Sequence, residues 1–72
     1  MTTNTMNNYE ALSQREMQVL SLMATGLTVK EIASQLYISH HTIISHKKNM
    51  MIKLNSKNTI DMIVQAVRAQ VI

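Results

Sequence analysis

The sequence of 72 residues has no cysteine, no proline, a single glycine and only two aromatic residues, both of them tyrosine. Without cysteine the chain can form no disulfide and no thiolate zinc site. Without proline, and with one glycine, little in it interrupts a helix. The near-absence of aromatic side chains requires an aliphatic core, whose irregular gaps methionine is suited to fill. These absences predict an all-α protein with one small domain.

Further absences restrict the function. No apolar run approaches the ~20 residues of a membrane span, and no charged segment followed by an apolar one opens the chain, so we expect a soluble, cytoplasmic protein. His40, His41 and His46 do not make a convincing zinc site, because adjacent side chains point about 100° apart on a helix. The chain shows no paired acid and base, no nucleophile and no cofactor loop. We therefore expect no enzyme, no cofactor, no metal and no small-molecule ligand.

Charge is distributed unevenly. Lysine and arginine number 7 and aspartate and glutamate 4, for a net charge of +3. The acids are spread along the chain, whereas the lysines fall close together in its middle, at positions 30, 47, 48, 53 and 57. Such clustering is typical of a phosphate-binding surface, although a solvated face rich in lysine has the same composition.

Cap motifs divide the chain into helices. Residues 1–10 are polar and aperiodic and are predicted to be a flexible arm, and residues 11–72 to be the folded domain. Two Ser/Thr-x-x-Glu capping boxes occur, and Gly26 stands where a helix needs a left-handed C-terminal residue. The expected caps are Ser13, Thr28, Ser39 and Asn58, and the expected helices cover about residues 14–25, 29–36, 40–54 and 59–70.

A short turn at residues 37–39 joins the second and third helices, and this arrangement predicts a helix-turn-helix. The small side chain of Ala33 lets the third helix cross the second at close range. In that motif the third helix enters the major groove of DNA. The buried stripe of the third helix is predicted at Ile43, Met50 and Leu54, with His46 beside it. The opposite face of this helix carries His41, Ile44, Ser45 and Lys48. Ser45 can donate or accept, Lys48 can reach guanine or phosphate, and Ile44 can meet a thymine methyl group.

The fourth helix has a wider apolar stripe than a short helix needs for its own packing. The stripe consists of Ile60, Ile63, Val64, Val67 and Val71.

The string LSQREMQVLSLMATGLTVKEIASQLYISHHTIISHKKNMMIKL resembles the LuxR-type (NarL/FixJ, GerE-like) DNA-binding domain of bacterial regulators. The matching residues keep the spacing of that family without a gap, and the resemblance extends over residues 12–71. It rests on Leu12, Arg15, Glu16, Val19, Leu20, Gly26, Leu27, Glu31, Ile32, Ala33, Leu36, Ser39, Thr42, Ile43, His46, Lys53 and Leu54. The resemblance implies a four-helix, helix-turn-helix bundle that binds double-stranded DNA and regulates transcription.

The resemblance also assigns roles to residues. The base-reading positions correspond to Ile44, Ser45 and Lys48, and the backbone-contacting positions to Lys30, Thr42 and Asn49. Lys47 and Lys57 are added from their charge and placement. In this family the fourth helix commonly forms a two-fold dimer, which implies a homodimer through the stripe of Ile60, Ile63, Val64, Val67 and Val71.

Three positions depart from the family pattern. Ile44 stands where many relatives have lysine or arginine, Asn55 replaces a usual glycine, and Thr59 replaces a common arginine. Because of these departures, two functions remain consistent with the sequence. The first is a sequence-specific transcriptional regulator. The second is a small interaction module that binds and modulates a larger LuxR-type regulator, with weak DNA binding of its own.

Some side chains allow a structural or a functional interpretation. Glu16 is expected to be a capping residue, with a buried ion pair as a further role, rather than a catalytic acid. His46 is expected to be packed rather than a ligand. His40 and His41 are either simple exposed residues or groups that change charge near neutral pH and modulate a phosphate contact. The methionines at positions 50, 51 and 62 are expected to fill the core or an interface.

Overall fold

A computed structural model describes residues 9–72, and positions 1–8 of the predicted arm lie outside these residues. Helix is the only regular secondary structure between residues 9 and 72. Four helices lie entirely within these residues: α1 (Gln14–Ala24), α2 (Val29–Leu36), α3 (His40–Lys53) and α4 (Thr59–Arg68). The predicted all-α, four-helix architecture is confirmed, and each helix ends within two residues of its expected end.

The first two helices begin at the two predicted capping boxes. At the start of α1, the Ser13 hydroxyl accepts a hydrogen bond from the Glu16 amide at 3.0 Å, and the Glu16 carboxylate accepts one from the Ser13 amide at 2.9 Å. Thr28 and Glu31 form the same reciprocal pair at the start of α2, at 3.1 and 2.8 Å. Each box satisfies two amides that would otherwise have no partner within the helix.

Left-handed residues follow the helices at the points where the chain turns. Gly26 has φ 97°, as predicted, and Asn55, which replaces a glycine of the family pattern, has φ 53°. Asparagine tolerates this region better than most residues. Tyr37 also lies in this region, with φ 58°, which was not expected because a bulky aromatic residue rarely adopts it. Its conformation lets the Ile38 amide donate to the Ala33 carbonyl at 3.1 Å, which closes the end of α2.

The core is aliphatic, as predicted, and lies where the four helices meet. Its fully buried large side chains are Val19, Leu20, Ile32, Ile43, Met50 and Met62. Ala33 is buried on α2, as the close crossing of α2 and α3 requires.

Tyr9 is a correction to the predicted arm. The sequence placed it among the flexible residues, but its side chain is only 7% exposed and belongs to the core. Burial, together with the nearby negative charge of Asp61, raises the pKa of the Tyr9 hydroxyl. The packed domain therefore begins before residue 11, because the aromatic ring covers apolar surface that the short helices leave open.

Candidate nucleic-acid interface

A three-residue turn positions the start of α3. The turn consists of residues 37–39, between the end of α2 and the start of α3. Ser39 caps α3, since its hydroxyl accepts a hydrogen bond from the Thr42 amide at 3.1 Å and lies 2.8 Å from the Thr42 hydroxyl. Because α2 and α3 are in direct contact, this first turn of α3 is held in place while the side chains of His40, His41 and Thr42 stay exposed.

The two predicted faces of α3 are confirmed by burial. Ile43 and Met50 are completely buried and Leu54 nearly so, while His46 is half-buried at their side. The opposite face is exposed at each of its predicted positions: His41, Ile44, Ser45 and Lys48. We call these four residues the groove face. Since α3 packs on the core through its other side, the groove face is open to solvent.

The backbone-contacting candidates lie around the groove face. Thr42 and Asn49 are exposed along one edge of it, one above the other on α3. Lys30 is exposed in the first turn of α2. The carboxylate of the adjacent Glu31 accepts a hydrogen bond from the Thr28 amide. Lys30 forms no ion pair within the described residues.

Lys47 lies in a different place from the other candidates. It is half-buried, one turn from Ile43 on the side of α3 that faces the protein. It therefore does not share the groove face with Ser45 and Lys48. Its charge can reach a phosphate only along the flank of the helix.

Sequence reasoning missed Ile52. Its side chain is 73% exposed, and it follows Lys48 by four residues, so it extends the groove face toward the end of α3. The same spacing was visible in the sequence, because Ile44, Lys48 and Ile52 recur at every fourth position. The exposure of Ile52 was not predicted, because an isoleucine near the end of a helix is usually assigned to the hydrophobic core.

The predicted lysine cluster is smaller than its sequence suggested. Lys53 forms a salt bridge with Glu16, with Nζ and Oε1 2.8 Å apart, and is not available to phosphate in this arrangement. The Lys57 amide donates to the Asp61 carboxylate at 3.0 Å, and this bond, the Gln65 side chain and the Lys57 charge lower the pKa of Asp61.

No acidic residue occurs from Ile32 to Ile60, so the groove face itself carries no negative charge.

The Glu16–Lys53 pair confirms the buried ion pair expected for Glu16. Glu16 is only 4% exposed. Burial raises the pKa of its carboxyl, but the hydrogen bonds from Lys53 and from the Ser13 amide and the charges of Lys53 and His46 outweigh burial, and the pKa lies below its ordinary value. The pair joins the last turn of α3 to the first turn of α1, which fixes the orientation of α3.

The apolar residues of α4 lie in two environments. Met62 and Ala66 are completely buried in the domain, while Ile60, Val64 and Val67, on the other side of the helix, are 73%, 41% and 52% exposed. We call these three exposed residues the α4 ridge. Ile63 and Val71, also expected in a dimer interface, are half-buried and pack against the core of the same chain.

The remaining predicted absences concern membranes and metals. Within residues 9–72, no helix has the length and apolar character needed to cross a bilayer. The same residues contain no group of three histidine, cysteine, aspartate or glutamate side chains arranged to hold a metal ion.

Comparison with known proteins agrees with this geometry. The family described as "Bacterial regulatory proteins, luxR family" matches residues 10–66. The oxygen regulatory protein NreC of Staphylococcus aureus strains JH9, USA300 and NCTC 8325 is 35% identical to this chain over 71 residues. The match covers 99% of this chain and 33% of each relative, so the chain spans about a third of their length. The chain belongs to the luxR family of bacterial regulatory proteins.

Proposed function

We propose that this protein is a sequence-specific, DNA-binding transcriptional regulator that inserts α3 into the major groove. The observation that carries the proposal is the groove face, which is exposed, free of acids and held behind a three-residue turn. The family and the similarity to NreC, a protein named as an oxygen regulator, support the same function. Their support extends only to the third of NreC that this chain matches.

The roles of the individual residues follow from their positions. Ile44, Ser45 and Lys48 face away from the core and read base edges. Lys30, Thr42 and Asn49 surround them and contact the phosphate backbone, which fixes the register of the protein on DNA. Lys47 assists from the flank of α3.

We further propose that the active form is a homodimer through the α4 ridge. Ile60, Val64 and Val67 follow i, i+4, i+7 spacing, so they form one continuous apolar strip on the side of α4 opposite Met62 and Ala66. A second copy of the chain would remove this strip from water. Two-fold pairing would also place two recognition helices about 34 Å apart, one turn of the duplex.

DNA titration at several salt concentrations tests the main proposal. The parent protein should prefer a duplex selected from a random pool over a scrambled one, with an affinity that falls steeply with salt. Lys48→Ala should lose about 1–3 kcal/mol of that preference. Lys57→Ala removes the same charge away from the groove face and serves as the control, since it should weaken both duplexes equally. A parent that prefers no duplex, with a Lys48→Ala variant that behaves identically, would refute the regulator.

A separate measurement tests the dimer. Val64→Asp places a charge in the α4 ridge and should yield a folded monomer by analytical ultracentrifugation and circular dichroism. Ile52→Asp makes the same kind of change on exposed α3 and should leave the dimer intact. A Val64→Asp dimer of unchanged strength would refute the assignment to α4.

The interaction module is a second candidate, and the neutralised Lys53 favours it. With that lysine paired to Glu16, few cations remain near α3. The α4 ridge would then pair with the homologous helix of a larger regulator. The two candidates differ in the titration above, because the interaction module prefers no duplex by itself.

A further inference from the structure

Two adjacent isoleucines on α3 have opposite environments. Ile43 is completely buried, whereas Ile44 is 43% exposed. A single exposed apolar residue is common on protein surfaces. Ile44, however, lies among His41, Ser45 and Lys48 on the face that the proposed function directs into the major groove. Its chemistry therefore determines which base it can recognise there.

An isoleucine side chain has no hydrogen-bond donor or acceptor, so it cannot recognise the polar edges of bases. In the major groove, thymine alone presents an apolar group, its C5 methyl. We propose that Ile44 recognises this methyl group and makes thymine the preferred base at one position in each half-site. The inference rests on the proposed function and specifies the ligand of the same face.

Lys48 gives the inference a second, geometric consequence. It follows Ile44 by four residues, so the two side chains leave α3 about 6 Å apart along its axis. Successive base pairs are separated by about 3.4 Å, so the two side chains start from points at most about two base-pair steps apart. The ammonium group of Lys48 donates to guanine O6 and N7. The preferred half-site is therefore expected to contain a thymine with a guanine within about two steps of it, on either strand.

Replacement of thymine by deoxyuridine tests the proposal without changing base pairing. Duplexes preferred by the parent protein are first selected from a random pool. The thymine positions of the selected site are then tested one at a time. In each test the thymine at that position is replaced in both half-sites by deoxyuridine, which lacks only the methyl group. One replacement should weaken binding by the parent about fourfold for each half-site, the effect of removing one methyl-sized apolar group from contact.

Two variants test the assignment to Ile44. Ile44→Ala should bind the thymine and deoxyuridine duplexes equally, because its side chain no longer reaches the methyl group. Lys57→Ala changes an exposed side chain away from the groove face and should keep the parent's difference of about fourfold for each half-site. Circular dichroism of both variants checks that α3 remains folded.

The possible failures are distinguishable. If the parent selects a site and Lys48→Ala weakens its recognition, yet every deoxyuridine duplex binds as well as the thymine duplex, this inference is wrong and the proposed function stands. A deoxyuridine effect of the same size in Ile44→Ala also overturns the assignment to Ile44. If the parent selects no site, both the proposed function and the inference fail.

Discussion

Replacement of Lys53 by methionine is expected to destabilise the domain through Glu16. Methionine keeps a long aliphatic stem but removes the ammonium group that lies 2.8 Å from the carboxylate. The Glu16 side chain is 6% exposed, and without Lys53 it would keep only its hydrogen bond from the Ser13 amide. Loss of one partner from a buried ion pair costs about 3–5 kcal/mol. Because the Lys53 side chain is 36% exposed and solvent already screens it, we expect about 1.5–2 kcal/mol at neutral pH.

The cost should depend on pH in a definite direction. The pKa of Glu16 in the folded protein lies below its ordinary value of 4.5. A carboxyl group with a lowered pKa stabilises the fold above its unfolded pKa, and that contribution is lost as the pH falls through the folded pKa. The difference between parent and Lys53→Met should therefore be full at neutral pH and decrease as the pH falls toward 4.5 and below it. In Lys53→Met, no ammonium group offsets the burial of the Glu16 carboxylate, so protonation of Glu16 should restore part of the lost free energy of unfolding.

Urea unfolding followed by circular dichroism measures both effects. The protein concentration is kept constant, because dimer formation would otherwise contribute to the apparent stability. Lys48→Met is the matched control, since it removes an exposed lysine of the same helix that has no ion pair among the described residues, and it should change stability by less than about 0.5 kcal/mol. The interpretation is wrong if the two variants are equally stable, or if the cost of Lys53→Met is the same at acidic and neutral pH.

Three further substitutions test local features by the same unfolding measurement. Tyr37→Gly should stabilise the domain by about 1 kcal/mol, because glycine tolerates φ 58° and the lost ring is 94% exposed; destabilisation would mean that the ring makes a needed contact. Ser39→Ala should cost about 1 kcal/mol and speed amide exchange in the first turn of α3, and unchanged exchange would argue against its role as cap. Met62→Ala should cost about 2–5 kcal/mol, whereas Ile60→Ala, on the exposed side of α4, should cost the isolated chain little and mainly weaken the dimer; equal costs would contradict the division of α4.

Helix boundaries were predictable because the signals that set them are local. A capping box needs only a hydroxyl and a carboxylate three residues apart, and both boxes formed where the sequence placed them. The left-handed conformation of Gly26 was likewise expected, and Asn55 adopts it where the family resemblance implied a glycine. Tyr37 was missed because the closing bond between Ile38 and Ala33 imposes the left-handed region on whatever residue stands there.

Contacts between distant residues could not be predicted with the same precision. An ion pair was expected for Glu16, but nothing in the sequence identified Lys53, which lies 37 residues away. Lys53 was instead grouped with the lysines predicted to bind phosphate. On α4, periodicity predicted a broad apolar stripe but did not identify the side of the helix that meets the core. The structure places Met62 and Ala66, which lie outside the predicted stripe, in the core and leaves Ile60 exposed.

The arrangement of α3 separates stability from recognition. The helix is held by its buried side, by the Ser39 cap at its start and by the ion pair of Lys53 near its end. None of these contacts uses Ser45 or Lys48, whose side chains make no hydrogen bond or ion pair within residues 9–72. If the proposed function is correct, substitutions on the groove face should therefore change base preference at little cost to folding. Changes at Ile43 or Met50 should instead open a cavity in the core and affect DNA binding only by loosening the whole helix.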